Sequence, residues 1–140
     1  MAFRVIGHPD LEQQVLKVFA ADPREGPLAV ARIRALLESL EEDPAALEPA
    51  PVARQSWTEG VRVSVENEEG AIFSATVQVT IYVYEAWALR FGLARVELPG
   101  DVVVGAWLMV ETQVAAAAGL ASRNLSLALL AQVEELRWPI

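Results

Sequence analysis

His8 is the chain's one histidine, and Asp10 stands two residues after it. An imidazole beside a carboxylate can move a proton near neutral pH. Here Pro9 lies between them and an apolar helical spacing follows, so Asp10 reads as a helix N-cap, with Gln13 completing a capping box. One histidine in a cysteine-free chain cannot build the usual nitrogen and sulfur metal sites.

Carboxylates crowd in three other places. Glu66, Glu68 and Glu69 surround a turn, "ENEEG", that lacks the alternating oxygen ligands of a calcium loop. Glu41, Glu42 and Asp43 close a helix and read as a solvated end. Glu111 lies inside the apolar run 102–121, where it reads as the exposed stripe of a helix. Ser122, Arg123 and Asn124 read as a helix junction. Trp57, Trp87, Trp107 and Trp138 read as core or interface residues. The chain contains no nucleophile elbow, P-loop or dinucleotide fingerprint. The expectation is a non-enzymatic protein without catalytic, cofactor-binding or metal-binding residues.

Composition narrows the partners. The formal net charge of −8, with ten arginines and one lysine (Lys17) scattered along 140 residues, disfavours nucleic acid and anionic membranes. The absence of cysteine excludes disulfides. The N-terminus "MAFRVIGHPDLEQQ" lacks the apolar core of a secretory signal. Residues 102–121 approach membrane length, but Glu111, Thr112 and Gln113 at their centre argue for a buried helix instead. A cytoplasmic location is expected.

The elements follow from periodicity. Leu11, Val15, Val18 and Phe19 form one helical stripe. Val30, Ile33, Leu36, Leu37 and Leu40 form another, with Pro27 in its first turn and Pro44 at its end. The proline-rich stretch 43–55 is a connection. Strands are expected near 57–66 and 71–85, joined by a hairpin turn at 67–70 that ends in Gly70, with a short edge strand at 93–98. "EAWALRFG" reads as a helical turn or a strand exit. Beyond Asp101, "VVV" favours a strand locally and leaves 102–108 open between strand and helix, but polar clusters at 111–113, 122–124 and 132–135 recur about every eleven residues, which predicts a long helical region, one helix or two broken near Gly119 to Asn124. The expected fold class is α+β: two N-terminal helices, an antiparallel hairpin-based sheet and a long C-terminal helical region. Residues 1–140 are read as a single domain.

The strand "FSATVQVTIYVYE" (73–85) alternates strictly. Phe73, Ala75, Val77, Val79, Ile81 and Val83 predict a core face. Ser74, Thr76, Gln78, Thr80, Tyr82 and Tyr84 form a second face that carries no charge, although surface positions are charged about a quarter to a third of the time. That suits a contact which must be buried without stranding a charge. These six residues and the apolar C-terminal Trp138 are the expected interface.

The functional expectation is a structural subunit of a homo-oligomer or larger assembly. It would contact its own copies and other assembly proteins. A ring component of a phage neck or tail is the concrete case, since an acidic surface suits a channel that must not hold DNA; the location would then be the virion. The alternatives are a small-molecule or peptide-binding module, with a pocket between sheet and helices lined by Trp and Tyr, and an enzyme with Glu111 as base.

Overall fold

The computed structural model describes residues 4–43, 51–98, 100, 102–110 and 122–139. In chain order these form β1 (Arg4–Gly7), α1 (Leu11–Val18), α2 (Glu25–Glu42), β2 (Pro51–Glu66), β3 (Ile72–Ala86), β4 (Leu89–Leu98), β5 (Val102–Val110), α3 (Ser122–Glu134) and β6 (Arg137–Pro139). The six strands make one sheet in the order β1-β5-β4-β3-β2-β6. β2, β3, β4 and β5 pair antiparallel, and the short outer strands β1 and β6 pair parallel to β5 and β2.

This overturns the expected fold class. The described residues form mostly a mixed six-stranded sheet with three helices, and no long C-terminal helical region is among them. Val102–Val110, expected to begin that helix, is a strand paired with β4 and β1. The cause is burial on both faces. Ala106, Leu108 and Val110 enter one core and Trp107 and Met109 another, so the strand is apolar throughout and shows no alternation. The strand expected at 93–98 as an edge is instead β4, longer and central between β3 and β5. Glu111 and the polar cluster around it lie outside the described residues, as do the side chains of Trp57, Ser122, Arg123 and Asn124.

Each face of the sheet has its own core. On one face Val61, Val63, Val65, Val77, Val79, Ile81, Val83, Ala94, Val96, Trp107 and Met109 gather with Leu129 and Val133 of α3 and with Trp138 of β6. α3 lies so close that a side chain at Gly92 would strike Leu129. On the other face Leu11 and Val15 of α1 and Ala29, Ile33, Leu36 and Leu40 of α2 pack with Tyr84, Leu89, Phe91, Leu93, Ala106, Leu108 and Val110.

The sheet is curled. Trp107 on β5 and Trp138 on β6 stand four strand spacings apart in the pairing order, about 19 Å in a flat sheet. Their ring centroids are 6.5 Å apart, edge to face. Trp138 therefore reaches across the first core, where it is 1% exposed.

The local signals are explicit in the turns. Asn67 Oδ1 accepts the backbone N–H groups of Glu69 (3.0 Å) and Ala71 (2.9 Å), and Gly70 takes φ +83°. This closes the β2–β3 hairpin. The α2 N-terminus is held by Asp22 Oδ1, which accepts from Arg24 N–H at 3.1 Å. The expected capping box at Asp10 does not form, and Asp10 makes no side-chain cap bond. Instead His8 Nδ1 accepts the Asp10 backbone N–H at 3.0 Å.

Candidate interaction surface

The hairpin β2–β3 is longer than its neighbour β4. Pairing between β3 and β4 ends at Gln78 opposite Glu97, and Leu98, the last residue of β4, stands level with position 77. Beyond it, β3 continues through Ile72–Thr76, paired only to β2. Ser64 lies opposite Ser74, and Arg62 opposite Thr76. Among the described residues nothing occupies the other side of this segment. Ile72, Phe73, Ser74 and Thr76 are exposed and Ala75 is half-buried. Ile72 is 54% and Phe73 45% exposed, large values for apolar side chains next to each other on one strand.

The expected interface residues divide along this boundary. Ser74 and Thr76 lie on the exposed segment. Gln78 and Tyr82 are half-buried. Thr80 and Tyr84 are buried inside the monomer, at 6% and 4% exposed. Tyr84 sits in the core built with α1 and α2, and Tyr82 packs against it. Trp138 is enclosed in the opposite core. Burial pushes the Tyr84 phenol up to about 12, with the neighbouring Tyr82 phenol adding to the effect. Ile72 stands outside the alternating pattern, and parity alone places Phe73 in the core. The signal that could have found them is length: a strand extending past its partner leaves its last residues uncovered.

An aromatic stack runs along the helix-side core to the other end of β3. Tyr82 stacks on Tyr84 at 6.3 Å, Tyr84 on Phe91 at 5.4 Å, and Phe91 on Trp87 at 6.3 Å. Trp87 and Ala88 form the two-residue turn into β4, both with positive φ, 55° and 58°. Such turns normally carry Asn-Gly, because left-handed backbone costs L-residues about 1–2 kcal/mol each. Stacking on Phe91 offsets part of that cost.

The residues that suggested chemistry are dispersed. Glu66 pairs with Arg137 at 3.5 Å, while Glu68 and Glu69 are exposed at the hairpin tip. Glu41, Glu42 and Asp43 are exposed at the end of α2. Among the described residues, no three His, Asp or Glu side chains form a metal-sized group. His8 lies against Trp107, ring centroids 5.8 Å apart. It also borders a cleft of about 230 Å³ between the end of β1 and the two N-terminal helices, crossed by an ion pair between Glu12 and Arg34. That is below the roughly 300–1,000 Å³ of ordinary ligand pockets, and no Trp or Tyr lines it. No described helix is long and apolar enough to cross a membrane.

The chain matches no family model, no curated protein and no solved structure.

Proposed function

We propose that this protein is a non-enzymatic structural subunit that assembles with copies of itself and with other assembly proteins. The observation that carries the reading is the overhanging hairpin. It presents adjacent exposed apolar side chains, Ile72 and Phe73, on a strand whose outer backbone groups have no described partner. Unpaired strand edges recruit further strands, and exposed apolar residues beside them supply side-chain contact.

The wider expectation narrows in one respect. The uncharged face of β3 divides into a part buried in the monomer and a part free for contact, so the contact belongs at 72–76. A ring component of a phage neck or tail remains the specific assembly proposed, in the virion or the cytoplasm of its host. The net charge of −8 supports that version, since an acidic wall does not hold DNA.

Light scattering across a concentration series tests the general reading, with a mass above 15.2 kDa expected. A strict monomer at every concentration overturns it. Electron microscopy of the assembled protein tests the ring version, which discrete closed rings would support and irregular or dimeric particles would overturn.

A further inference from the structure

Most open edges of the sheet are blunted among the described residues. β1 has four residues and β6 three. The outer edge of β2 begins at Pro51 and is broken by a register shift between Trp57 and Val61. Short strands, proline and bulges are the devices by which sheets avoid pairing with other chains. The edge of β3 at Ile72–Thr76 has none of them. It contains no proline, no charged residue and no break in its pairing with β2. At five residues it matches the usual length of a strand.

Its chemistry also selects the partner. Residues 71–84 are fourteen consecutive uncharged positions in a chain of net charge −8. A two-fold contact sets the same segment on both sides, so a segment with net charge would face one of like charge. This stretch avoids that repulsion, and the edge opens inside it.

We propose that Ile72–Thr76 pairs antiparallel with the same segment of a second copy, joining two sheets through a two-fold axis at Ser74. The inference rests on the assembly reading above and names the contact. The register follows from the available space. Leu98 of β4 stands level with position 77, and the chain turns away into the hairpin loop below position 72. The free window is therefore 72–76, and its centre is Ser74. A two-fold axis normal to an antiparallel pair passes through one residue facing its own copy. Ser74 then meets the partner's Ser74, Phe73 meets the partner's Ala75, and Ile72 meets the partner's Thr76. Both exposed apolar side chains of the segment are covered. Such a contact closes on a pair, so a ring would require a second, head-to-tail surface.

The absence of native cysteine makes the test direct. Directly opposite residues in an antiparallel pair have Cα atoms about 4.5–5.5 Å apart, within disulfide range. Ser74→Cys is expected to give a covalent dimer under mild oxidation, reversed by dithiothreitol. Ile72→Cys alone and Thr76→Cys alone should not cross-link, because each lies roughly 13 Å from its own copy across the axis. An equal mixture of the two should yield the mixed dimer. Ser74→Glu sets two carboxylates face to face and is expected to raise the dimer dissociation constant about tenfold or more, equivalent to about 1.4 kcal/mol. Circular dichroism of the Ser74→Glu variant should match the parent, since position 74 is exposed. If the parent self-associates but Ser74→Cys forms no dimer, the proposed contact falls while the assembly reading stands. If the parent is monomeric at every concentration, both fall.

Discussion

Residues 77–84 and 72–76 belong to one strand and carry similar uncharged side chains, yet their surroundings differ. In 77–84 both faces are covered. Val79, Ile81 and Val83 are 0% exposed on the side of α3 and Trp138, and Tyr84 is 4% exposed on the side of α1 and α2. In 72–76 only Ala75 packs against a core, half-buried, and Phe73, of the same parity as Val79, is 45% exposed. The difference is set by the neighbours. β4 stops near position 77, and the β2–β3 hairpin continues past it. An apolar alternating strand thus becomes core or contact surface according to what stands beside it.

The largest effect is expected at Val79. Val79→Asp buries a carboxylate among Val, Ile and Trp side chains with no partner, and should cost more than about 4 kcal/mol, enough to unfold a typical domain. Loss of the cooperative transition in urea would register it. A stable Val79→Asp variant would show that the inner half of β3 is not enclosed on the α3 side.

Tyr84 tests the other face of the same half through its titration. Its phenol is raised from 10.0 to about 12. Between those values the unfolded chain has lost the proton and the folded chain keeps it, so stability falls as pH rises. The contribution is complete below about pH 10 and is lost by about pH 12, a change of about 2–3 kcal/mol. Urea midpoints for the parent and Tyr84→Phe should differ by a constant offset below pH 10, and above it the parent should lose stability that the variant keeps. Parallel curves would mean that Tyr84 is open to water.

These tests also mark how far the sequence could be read. The two faces of β3 are legible because its alternation is strict, and the hairpin turn is legible through Asn67 and Gly70. The reach of the faces is not, because coverage depends on where β4 ends, a non-local fact. β5 reads as helix for a related reason: a strand buried on both faces loses the alternation that marks strands. Trp138 reads as an interface residue because it stands in an apolar tail near the chain end, and the curl that brings it to Trp107 has no local signature. The candidate surface is half legible. Ser74 and Thr76 stand out for their lack of charge, whereas Ile72 and Phe73 gain their meaning only from the missing neighbour.

A smaller effect is expected at the turn that closes the enclosed half. Ala88 holds φ 58°, which costs a side chain about 1–2 kcal/mol. Glycine relieves that strain but returns part of it through unfolded-chain entropy. Ala88→Gly should therefore stabilise the fold by about 0.5–1 kcal/mol, read as a higher urea midpoint with unchanged slope. A destabilised variant would show that the Trp87–Ala88 backbone is not left-handed in solution.

The smallest effect on folding is expected at Phe73. Phe73 and Val79 lie on the same parity of the same strand, so a uniform strand would penalise polar substitution at both. Phe73 is nearly half exposed in the monomer, and serine keeps the backbone pairing with Val65. Phe73→Ser should change the stability of the monomer by no more than about 0.5 kcal/mol, as surface changes do. The measurement must be made at dilution, where association does not add to apparent stability. At high concentration the parent should gain stability and the variant should gain less, because the covered phenyl ring is lost from the contact. A large loss at dilution would instead place Phe73 in the core, and the two halves of β3 would then share one environment.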